Sequence, residues 1–310
     1  MGETPVRREH GSGLLLAPTA GFVLVWSSGY IAGPYGVEAM SPLALVAVRF
    51  VLAAVVAWAL ARALRGPLRV TRDDAVRIAL SGFVLNGVQF GAMYLAFDAG
   101  LGATLGSLMH SLSPVLTALL AAAFLRERLT RMQVLGFVIG VAGVVLVLGP
   151  DIEGAGGTVG LVCGVVSVLG LSVGTLGQRW IGHAPEPLWS GAIQFGVAAP
   201  PLLVLALVVE GTDVVRDPAA AGIAIVYLAL VNSILGLGLL GILVRARGAG
   251  AAASVFFLMP PVTAVLAWLI LGETLNLREV AGLIITVVGV AAATRTGRPA
   301  GSPGTTGQTN

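Results

Sequence analysis

The chain of 310 residues contains no lysine, because all 18 of its basic residues are arginine. A Walker-type phosphate-binding loop requires its lysine, so the sequence excludes a protein driven by ATP through such a loop. Cysteine occurs once, as Cys163, which excludes an intrachain disulfide and a metal site built on several cysteines. Histidine occurs three times and never in a His-Glu-x-x-His pattern. We therefore predict no enzyme activity, no cofactor and no metal site.

Charge is also scarce, since Asp, Glu, Lys and Arg make up 11% of the chain while hydrophobic residues make up 56% and mean hydropathy is +0.94. Soluble domains carry about 25% charged residues. Apolar runs of about 20 residues, the length that spans a bilayer, occupy nearly all of the chain. The sequence therefore predicts an all-α integral membrane protein with ten transmembrane helices. These lie near residues 12–34, 42–63, 76–97, 101–124, 132–149, 157–178, 187–209, 219–243, 248–271 and 278–296.

A diverged copy of residues 101–145 appears 146 positions later, at residues 247–291, and no gap is needed to align the two. Each copy has an apolar run containing a proline, a turn centred on a glutamate, and a second apolar run with spaced glycines. The matched pairs are Pro114 with Pro260, Thr117 with Thr263, Glu127 with Glu273, Gly136 with Gly282 and Gly143 with Gly289. The earlier spans match as well: Arg49 corresponds to Gln194, and Asn86 to Asn232.

The arginines indicate the orientation of the spans. With the N-terminus in the cytoplasm, 15 arginines fall in the inside segments, whereas the outside loops hold only Arg216 and Arg278. Cytoplasmic loops of membrane proteins carry such an excess, so we expect a multi-pass cell-membrane protein with both termini cytoplasmic. Five spans per copy is an odd number, so the second copy enters the membrane with the opposite orientation. Inverted repeats of this kind are typical of secondary transporters, whose substrate site lies between the copies.

The predicted organisation has four parts. A cytoplasmic N-terminal tail covers residues 1–11, and the two five-helix repeats cover 12–149 and 157–296. Residues 297–310, rich in Gly, Thr and Ser, form a disordered cytoplasmic tail.

The chain resembles the EamA-type members of the drug/metabolite transporter superfamily. The resemblance is carried by Trp26-Ser27-Ser28-Gly29, by Ser41-Pro42 leading to Arg49-Phe50, and by the two prolines with their turn glutamates and spaced glycines. The first copy departs from this pattern at Arg126, because the usual residue there is small, as Gly272 is at the matched position of the second copy. The resemblance implies export of a small metabolite, amino acid or toxic compound by alternating access around a central cavity. It leaves the substrate unnamed.

Arg49 lies seven residues inside the second span, roughly 10 Å along the helix axis. A lone arginine costs about 2.5–3.5 kcal/mol at the centre of a span on insertion scales. Two interpretations stay open at this point. Either Arg49 attracts an anion such as a substrate carboxylate on the outer side of the cavity, or it is structural, bonded to carbonyls of the first span or reaching outward.

His110 is the one titratable side chain near the middle of a span that has no match in the other copy, where Phe256 stands. It could relay protons or simply bond to a neighbouring helix. Because Asp and Glu all fall in tails, loops or span ends, we expect transport to depend weakly on the proton gradient, or its coupling to disappear in His110→Gln.

Other polar and aromatic side chains within the spans are candidates for the substrate path or for contacts between helices. Asn86 and Asn232, which occupy matched positions, are the strongest of them. The remaining candidates are Gln89, Gln194, Ser28, Trp26, Tyr30, Tyr94 and Phe256.

Pro114 and Pro260 interrupt the backbone ladder of spans four and nine and are hinge candidates, or kinks without a gating role. Glycines 136, 140 and 143 predict a face for close helix packing.

The partners expected from these features are a small-molecule substrate and the lipid bilayer, with the protein as a monomer or homodimer and no nucleic acid. A membrane channel, or a receptor or scaffold that does not transport, remains the alternative. Saturable substrate counterflow separates transport from both.

Overall fold

The computed structural model describes residues 13–125, 129–150, 152–181, 186–247 and 254–295. These residues are almost entirely helical, and the β-type pairing among them is an isolated bridge between Met40 and Val215. The two predicted tails and the Glu127 turn lie outside the described residues. The α-helices are α1 (Gly13–Ala39), α2 (Pro42–Arg65), α3 (Arg72–Gly82), α4 (Gln89–Asp98), α5 (Ala103–Ser111), α6 (Ser113–Leu125), α7 (Arg131–Leu148), α8 (Gly157–Arg179), α9 (Pro187–Val209), α10 (Pro218–Val226), α11 (Gly236–Arg247), α12 (Met259–Leu266) and α13 (Leu277–Arg295).

Shorter helical pieces join several of these helices. Three are π-helical, Phe83–Val88 between α3 and α4, Tyr227–Leu235 between α10 and α11, and Ala267–Leu271 after α12. Two are 3₁₀-helical, Glu153–Ala155 and Ser254–Leu258. Joined in this way, α3 and α4 form one run, as do α10 and α11.

Eight helical runs in the described part of the chain are long and apolar enough to cross a membrane by length and composition. A ninth apolar run, Val255–Leu271, is shorter. Large apolar side chains cover the outside of the bundle, and Phe124, Val208 and Leu277 are 74%, 77% and 85% exposed. Such surfaces suit lipid, so the prediction of an all-α integral membrane protein agrees with the structure.

Two helix ends differ from the prediction for local reasons. The third span begins at Arg72 rather than near 76, because the Thr71 hydroxyl accepts a hydrogen bond from the Asp74 amide at 3.1 Å and caps the helix. The first helix continues past Pro34 to Ala39. A proline removes one backbone donor, and in a membrane bundle this can kink a helix without ending it.

The packing of the helices repeats itself between the two halves. Helix α2 packs along α9, and α7 along α13. Helix α8 contacts α4 and α6, while α1 makes the corresponding contacts with α11 and α12. Each helix of one half thus makes the same contacts as the matched helix of the other half, which lies 145 or 146 residues away in the sequence.

The α7–α13 contact depends on glycine. A Cβ on Gly143 would lie 2.6 Å from the carbonyl oxygen of Gly282, and a Cβ on Gly282 would lie 2.6 Å from that of Gly143. Glycines 136 and 140 also face α13. The predicted glycine face therefore allows close backbone contact, as in other membrane helix pairs.

At one end of the bundle two carboxylates connect the halves. The Glu210 carboxylate accepts hydrogen bonds from the amides of Leu43 and Ala44 at 2.8 and 3.0 Å, at the start of α2. The Glu273 carboxylate accepts from the amides of Ala103 and Thr104 at 2.7 and 3.2 Å, at the start of α5. Helix N-termini carry partial positive charge, so both carboxylates stabilise the contacts at this end of the bundle, called here the glutamate end.

Candidate functional site

Arg49 is 2% exposed and lies where α2 meets the π-helical stretch between α10 and α11. Its guanidinium donates hydrogen bonds to the Tyr94 hydroxyl at 2.9 Å, to Asn232 Oδ1 at 2.9 Å and to Ser233 Oγ at 3.1 and 3.3 Å. The guanidinium carbon also lies 4.6 Å from the centre of the Phe90 ring. Thus Arg49 is bonded to side chains of other spans, rather than to carbonyls of α1.

Asn232 connects Arg49 to α1. While its Oδ1 accepts from Arg49, its Nδ2 donates to the Val25 carbonyl at 2.9 Å. Gly29 leaves the space for this amide, since a Cβ at position 29 would lie 2.5 Å from Asn232 Nδ2. Gly29, the last residue of the Trp26-Ser27-Ser28-Gly29 run, therefore matters to the site because it has no side chain. The contact of Asn232 with α1 needs this free space.

The matched residues of the other half form a second contact of the same kind. Asn86 Nδ2 donates to Gln194 Oε1 at 3.2 Å, and Gln194 Nε2 donates to Ser190 Oγ at 2.8 Å. Gln194 occupies the position that corresponds to Arg49, and Asn86 the position that corresponds to Asn232. Both asparagines lie in π-helical stretches, which occur frequently at functional sites.

Phe50 and Phe195, which follow Arg49 and Gln194, stack on each other with centroids 5.4 Å apart and an angle of 14° between the ring planes. Matched residues that contact each other directly lie where the two halves meet. The two asparagine contacts therefore flank the interface between the halves.

His110 is at the centre of a buried hydrogen-bond chain that connects α1, α5 and α8. Its Nδ1 lies 2.7 Å from the Tyr30 hydroxyl and its Nε2 lies 2.8 Å from Ser167 Oγ. Ser167 in turn donates to the Gln89 carbonyl at 2.7 Å. Because the serine proton is used there, Nε2–H donates to Ser167 and Tyr30 donates to Nδ1, which is the pattern of a neutral imidazole.

The remaining candidates lie in separate places. Trp26 packs against Phe22 and Phe256, with centroids 5.2 and 5.6 Å away. Ser28 accepts a hydrogen bond from the Tyr227 hydroxyl at 2.7 Å. The Gln89 side chain is buried, and its backbone carbonyl joins the histidine chain. Tyr94 is the candidate that bonds to Arg49, whereas Tyr30 bonds to His110.

The hinge candidates stand at breaks in their helices. Pro114 is the second residue of α6, after α5 ends at Ser111, and Pro260 is the second residue of α12, after a 3₁₀ segment. Proline suits the first turn of a helix because the amide there has no intrahelical acceptor. Spans four and nine are therefore each interrupted at matched positions, where a new α-helix begins.

Sequence reasoning did not identify Ser167 and Phe90. Ser167 is a small polar residue inside an apolar run, and Phe90 is one of ten phenylalanines, so neither stands out by type or spacing. Their roles depend on which helix faces which. Comparison of the two repeats would not have identified Ser167 either, because its partner His110 has no counterpart of the same type in the second repeat.

A cleft of about 130 Å³ lies at the end of the bundle opposite the glutamate end, where Arg65 donates to Glu186 at 3.1 Å. It is lined by Arg65, Glu186, Pro187, Leu188, Leu237, Gly238, Gly241 and Arg245. Arg49 lies 16 residues before Arg65 on α2, roughly 24 Å along the helix. The cleft and Arg49 are therefore separate features of the interface.

Comparison with known proteins gives a consistent set of relatives. The model of the EamA-like transporter family matches the chain twice, at residues 11–149 and 158–295. A "Probable amino-acid metabolite efflux pump" of Salmonella typhimurium is 26% identical over 277 residues, which cover 86% of this chain and 90% of the relative. The Escherichia coli protein of the same name is 24% identical over the same fractions of this chain and of the relative. The "Uncharacterized inner membrane transporter YedA" of Escherichia coli is 26% identical over 87% of each chain.

One solved crystal structure of a protein superposes on this chain with a TM-score of 0.64. The two are 22% identical, and the match covers 91% of this chain and 97% of the other. At that identity the likeness concerns the fold alone.

Proposed function

The chain belongs to the EamA-like transporter family, and we propose that it exports a small metabolite across the plasma membrane by alternating access between two inverted five-helix repeats. It is a multi-pass membrane transporter rather than an enzyme. The proposal adds the direction, the mechanism and the repeat architecture to that statement.

Two observations support the repeat architecture. The family model matches the chain twice, over ranges close to 12–149 and 157–296. The helix contacts are also preserved when each helix is exchanged for its counterpart, with α2–α9 and α7–α13 pairing across the exchange. An in-plane two-fold relation between repeats of opposite orientation produces this pattern. The arginine distribution supports placing both termini in the cytoplasm.

Alternating access requires two halves that move against each other around a site at their interface. The observation that carries the proposal is the pair of matched contacts at this interface, Arg49–Asn232 and Gln194–Asn86. Polar groups inside a membrane are expensive and mark pathways of substrates or ions. Among the described residues the halves are also connected at the glutamate end by the carboxylates of Glu210 and Glu273, and alternating access would have to break and remake these contacts.

The two efflux pumps among the relatives are named for amino-acid metabolites, so amino acids and their metabolites are the first solutes to test. The test is counterflow in proteoliposomes. Vesicles preloaded with one unlabelled L-amino acid at a time should accumulate external tracer of the same amino acid above equilibrium when the protein is present. Uptake should saturate with concentration.

Empty vesicles and vesicles with denatured protein are the controls. A flux that rises linearly with concentration, without counterflow, would indicate a channel. Absence of flux for every solute tested would contradict the proposed function.

A further inference from the structure

The charge of Arg49 has no counter-charge among the described residues. The ion pairs found there do not include Arg49, and its four hydrogen bonds go to a phenol, an amide oxygen and a serine hydroxyl, all neutral. A guanidinium has five N–H groups, so one remains beyond these four bonds. Buried charges in proteins are ordinarily paired with an opposite charge.

The other half of the molecule shows that helix packing at this position does not need a charge. Gln194 stands at the matched place, is buried to a similar extent, and makes the matched contact to Asn86 as a neutral side chain. An uncharged residue would therefore satisfy the contact to Asn232 as well. The positive charge has to be explained by something other than the joining of the helices.

The surroundings of Arg49 would strengthen binding of an anion. The guanidinium carbon lies 4.6, 5.2 and 5.9 Å from the ring centres of Phe90, Phe50 and Tyr94. Apolar rings keep the local dielectric constant low, and electrostatic attraction is stronger there than in water. The planar fork of an arginine matches the two oxygens of a carboxylate, and charge-assisted bonds of this type are about twice as strong as neutral ones.

Two of the neutral acceptors of Arg49 lie together in one irregular stretch of backbone. Asn232 and Ser233 both belong to the π-helical stretch Tyr227–Leu235, and Ser233 Oγ also bonds to the Leu228 carbonyl at 3.0 Å. A rearrangement of this stretch would free the guanidinium edge that now binds Asn232 and Ser233. A carboxylate could then take the same two positions with a stronger bond.

We propose that Arg49 binds the carboxylate of the transported solute, so that the protein selects monocarboxylates such as amino acids and their metabolites over neutral and cationic solutes. This inference rests on the proposed function and names the substrate class of its site. The aromatic rings beside Arg49 provide the apolar surface for the rest of such a solute.

The experiment compares each acid with its amide, which has the same shape without the negative charge. Proteoliposomes are screened for counterflow with the twenty L-amino acids, with benzoate and phenylacetate, with the corresponding amides, and with the organic cation tetraphenylphosphonium. Transport of acids but not of their amides is expected for the wild type. Preferred transport of the amides or of the cation would overturn the proposal while leaving the transporter function intact, and absence of any transport would contradict both.

Arg49→Gln then introduces the side chain that the other half tolerates. Transport of the acids should fall about tenfold or more, because a charge-assisted bond is lost, while any residual amide transport should change little. Gln194→Ala is the matched control, since it removes the corresponding contact without removing a charge. In that variant the ratio of acid to amide transport should stay at the wild-type value.

Acid transport that stays at the wild-type level in Arg49→Gln, or an unchanged rise in melting temperature with the acid, would overturn the proposal in favour of a structural role. If Arg49→Gln does not fold, Arg49→Lys keeps the charge and loses the fork. The measurement is then the rise in melting temperature caused by the best acid, which should be clear in the wild type, smaller in Arg49→Lys, and absent with the amide in both. A rise of the same size in both proteins would contradict the assignment of Arg49.

Discussion

At the scale of single residues, the site depends on Gly29, which has no side chain. Asn232 can bond to both Arg49 and the Val25 carbonyl because Gly29 leaves room for its amide group. Gly29 lies in α1 and the asparagine in a segment about 200 residues later, so the space is a property of the assembled bundle. Together they provide one of the contacts that hold Arg49, beside those to Tyr94 and Ser233.

Gly29→Ala is expected to destabilise the protein and to lower transport. The new Cβ would lie 2.5 Å from Asn232 Nδ2, and relief of such an overlap costs about 1–3 kcal/mol. Thermal unfolding in detergent and proteoliposome counterflow are the measurements. Gly222→Ala is the control, because a Cβ there meets nothing within 4 Å, and its stability should stay equal or rise slightly. Equal behaviour of the two variants would show that Asn232 moves away at no cost.

His110→Gln tests the histidine chain. The imidazole bonds to two hydroxyls, and no carboxylate is among its described partners, so a proton could enter only with rearrangement of Tyr30. We predict that wild-type transport depends weakly on an imposed pH gradient, or that its dependence disappears in His110→Gln while substrate binding survives.

Uptake with and without the gradient, for both proteins, decides between these outcomes. Ser111→Ala is the control on the same helix, since the bond of Ser111 among the described residues goes to the Leu108 carbonyl of that helix. Strong accumulation driven by the pH gradient that persists in His110→Gln would contradict both predicted outcomes.

At the scale of elements, helix ends and helix irregularities control how the halves meet. The matched asparagines both lie in π-helical stretches, and the matched prolines both begin a new helix within their spans. Such irregular backbone is tolerated in membranes only where it is buried in protein or lines a cavity. Its occurrence at matched positions indicates that these elements face the interface between the halves.

The Glu273 carboxylate is the cap that holds the loop before α13 against the start of α5. Glu273→Gln removes the charge from the contacts to the Ala103 and Thr104 amides and to the Thr104 hydroxyl. We expect a loss of about 1–2 kcal/mol in stability, since bonds to charged groups and helix-dipole interactions have this magnitude. Thermal unfolding measures it.

Glu38→Gln is the comparison at the same end, because Glu38 is exposed and should change stability by less than about 0.5 kcal/mol. Equal melting temperatures for Glu273→Gln and the wild type would mean that water replaces the carboxylate without loss.

At the scale of the whole molecule, the contact pattern favours two halves related by a two-fold operation. The α7–α13 pair is held by the reciprocal contact of Gly143 and Gly282, and both of its helices pack against α5, which carries His110. Both pairs join the halves, and the α2–α9 pair also carries the matched residues Arg49 and Gln194.

The proposed inverted topology predicts which loops are exposed on each side of the membrane. In a Cys163→Ser background, Gly211→Cys and Thr274→Cys should react with a membrane-impermeant thiol reagent added outside intact cells. Leu68→Cys and Leu129→Cys should react only after the membrane is opened. Labelling of Thr274→Cys only in opened cells would contradict an inverted second repeat.

Several features of this protein could be derived from the sequence. The apolar runs predicted the membrane helices. The duplicated prolines, glutamates and glycines and the uneven arginines predicted a repeat and an orientation, which stay predictions. These properties follow from composition along the chain, because transfer of a segment into lipid depends on its own residues. The capping of α3 by Thr71 could also have been recognised, since it involves only the four successive residues 71–74.

Which polar groups meet was decided by the tertiary structure alone. Side chains advance by about 100° per residue around a helix, and spans that are apolar on all sides do not indicate which face is buried. The sequence could therefore single out Arg49 and His110 as costly residues but not their partners. Only the rotation and depth of neighbouring helices brought Arg49 to Asn232, and His110 to Ser167.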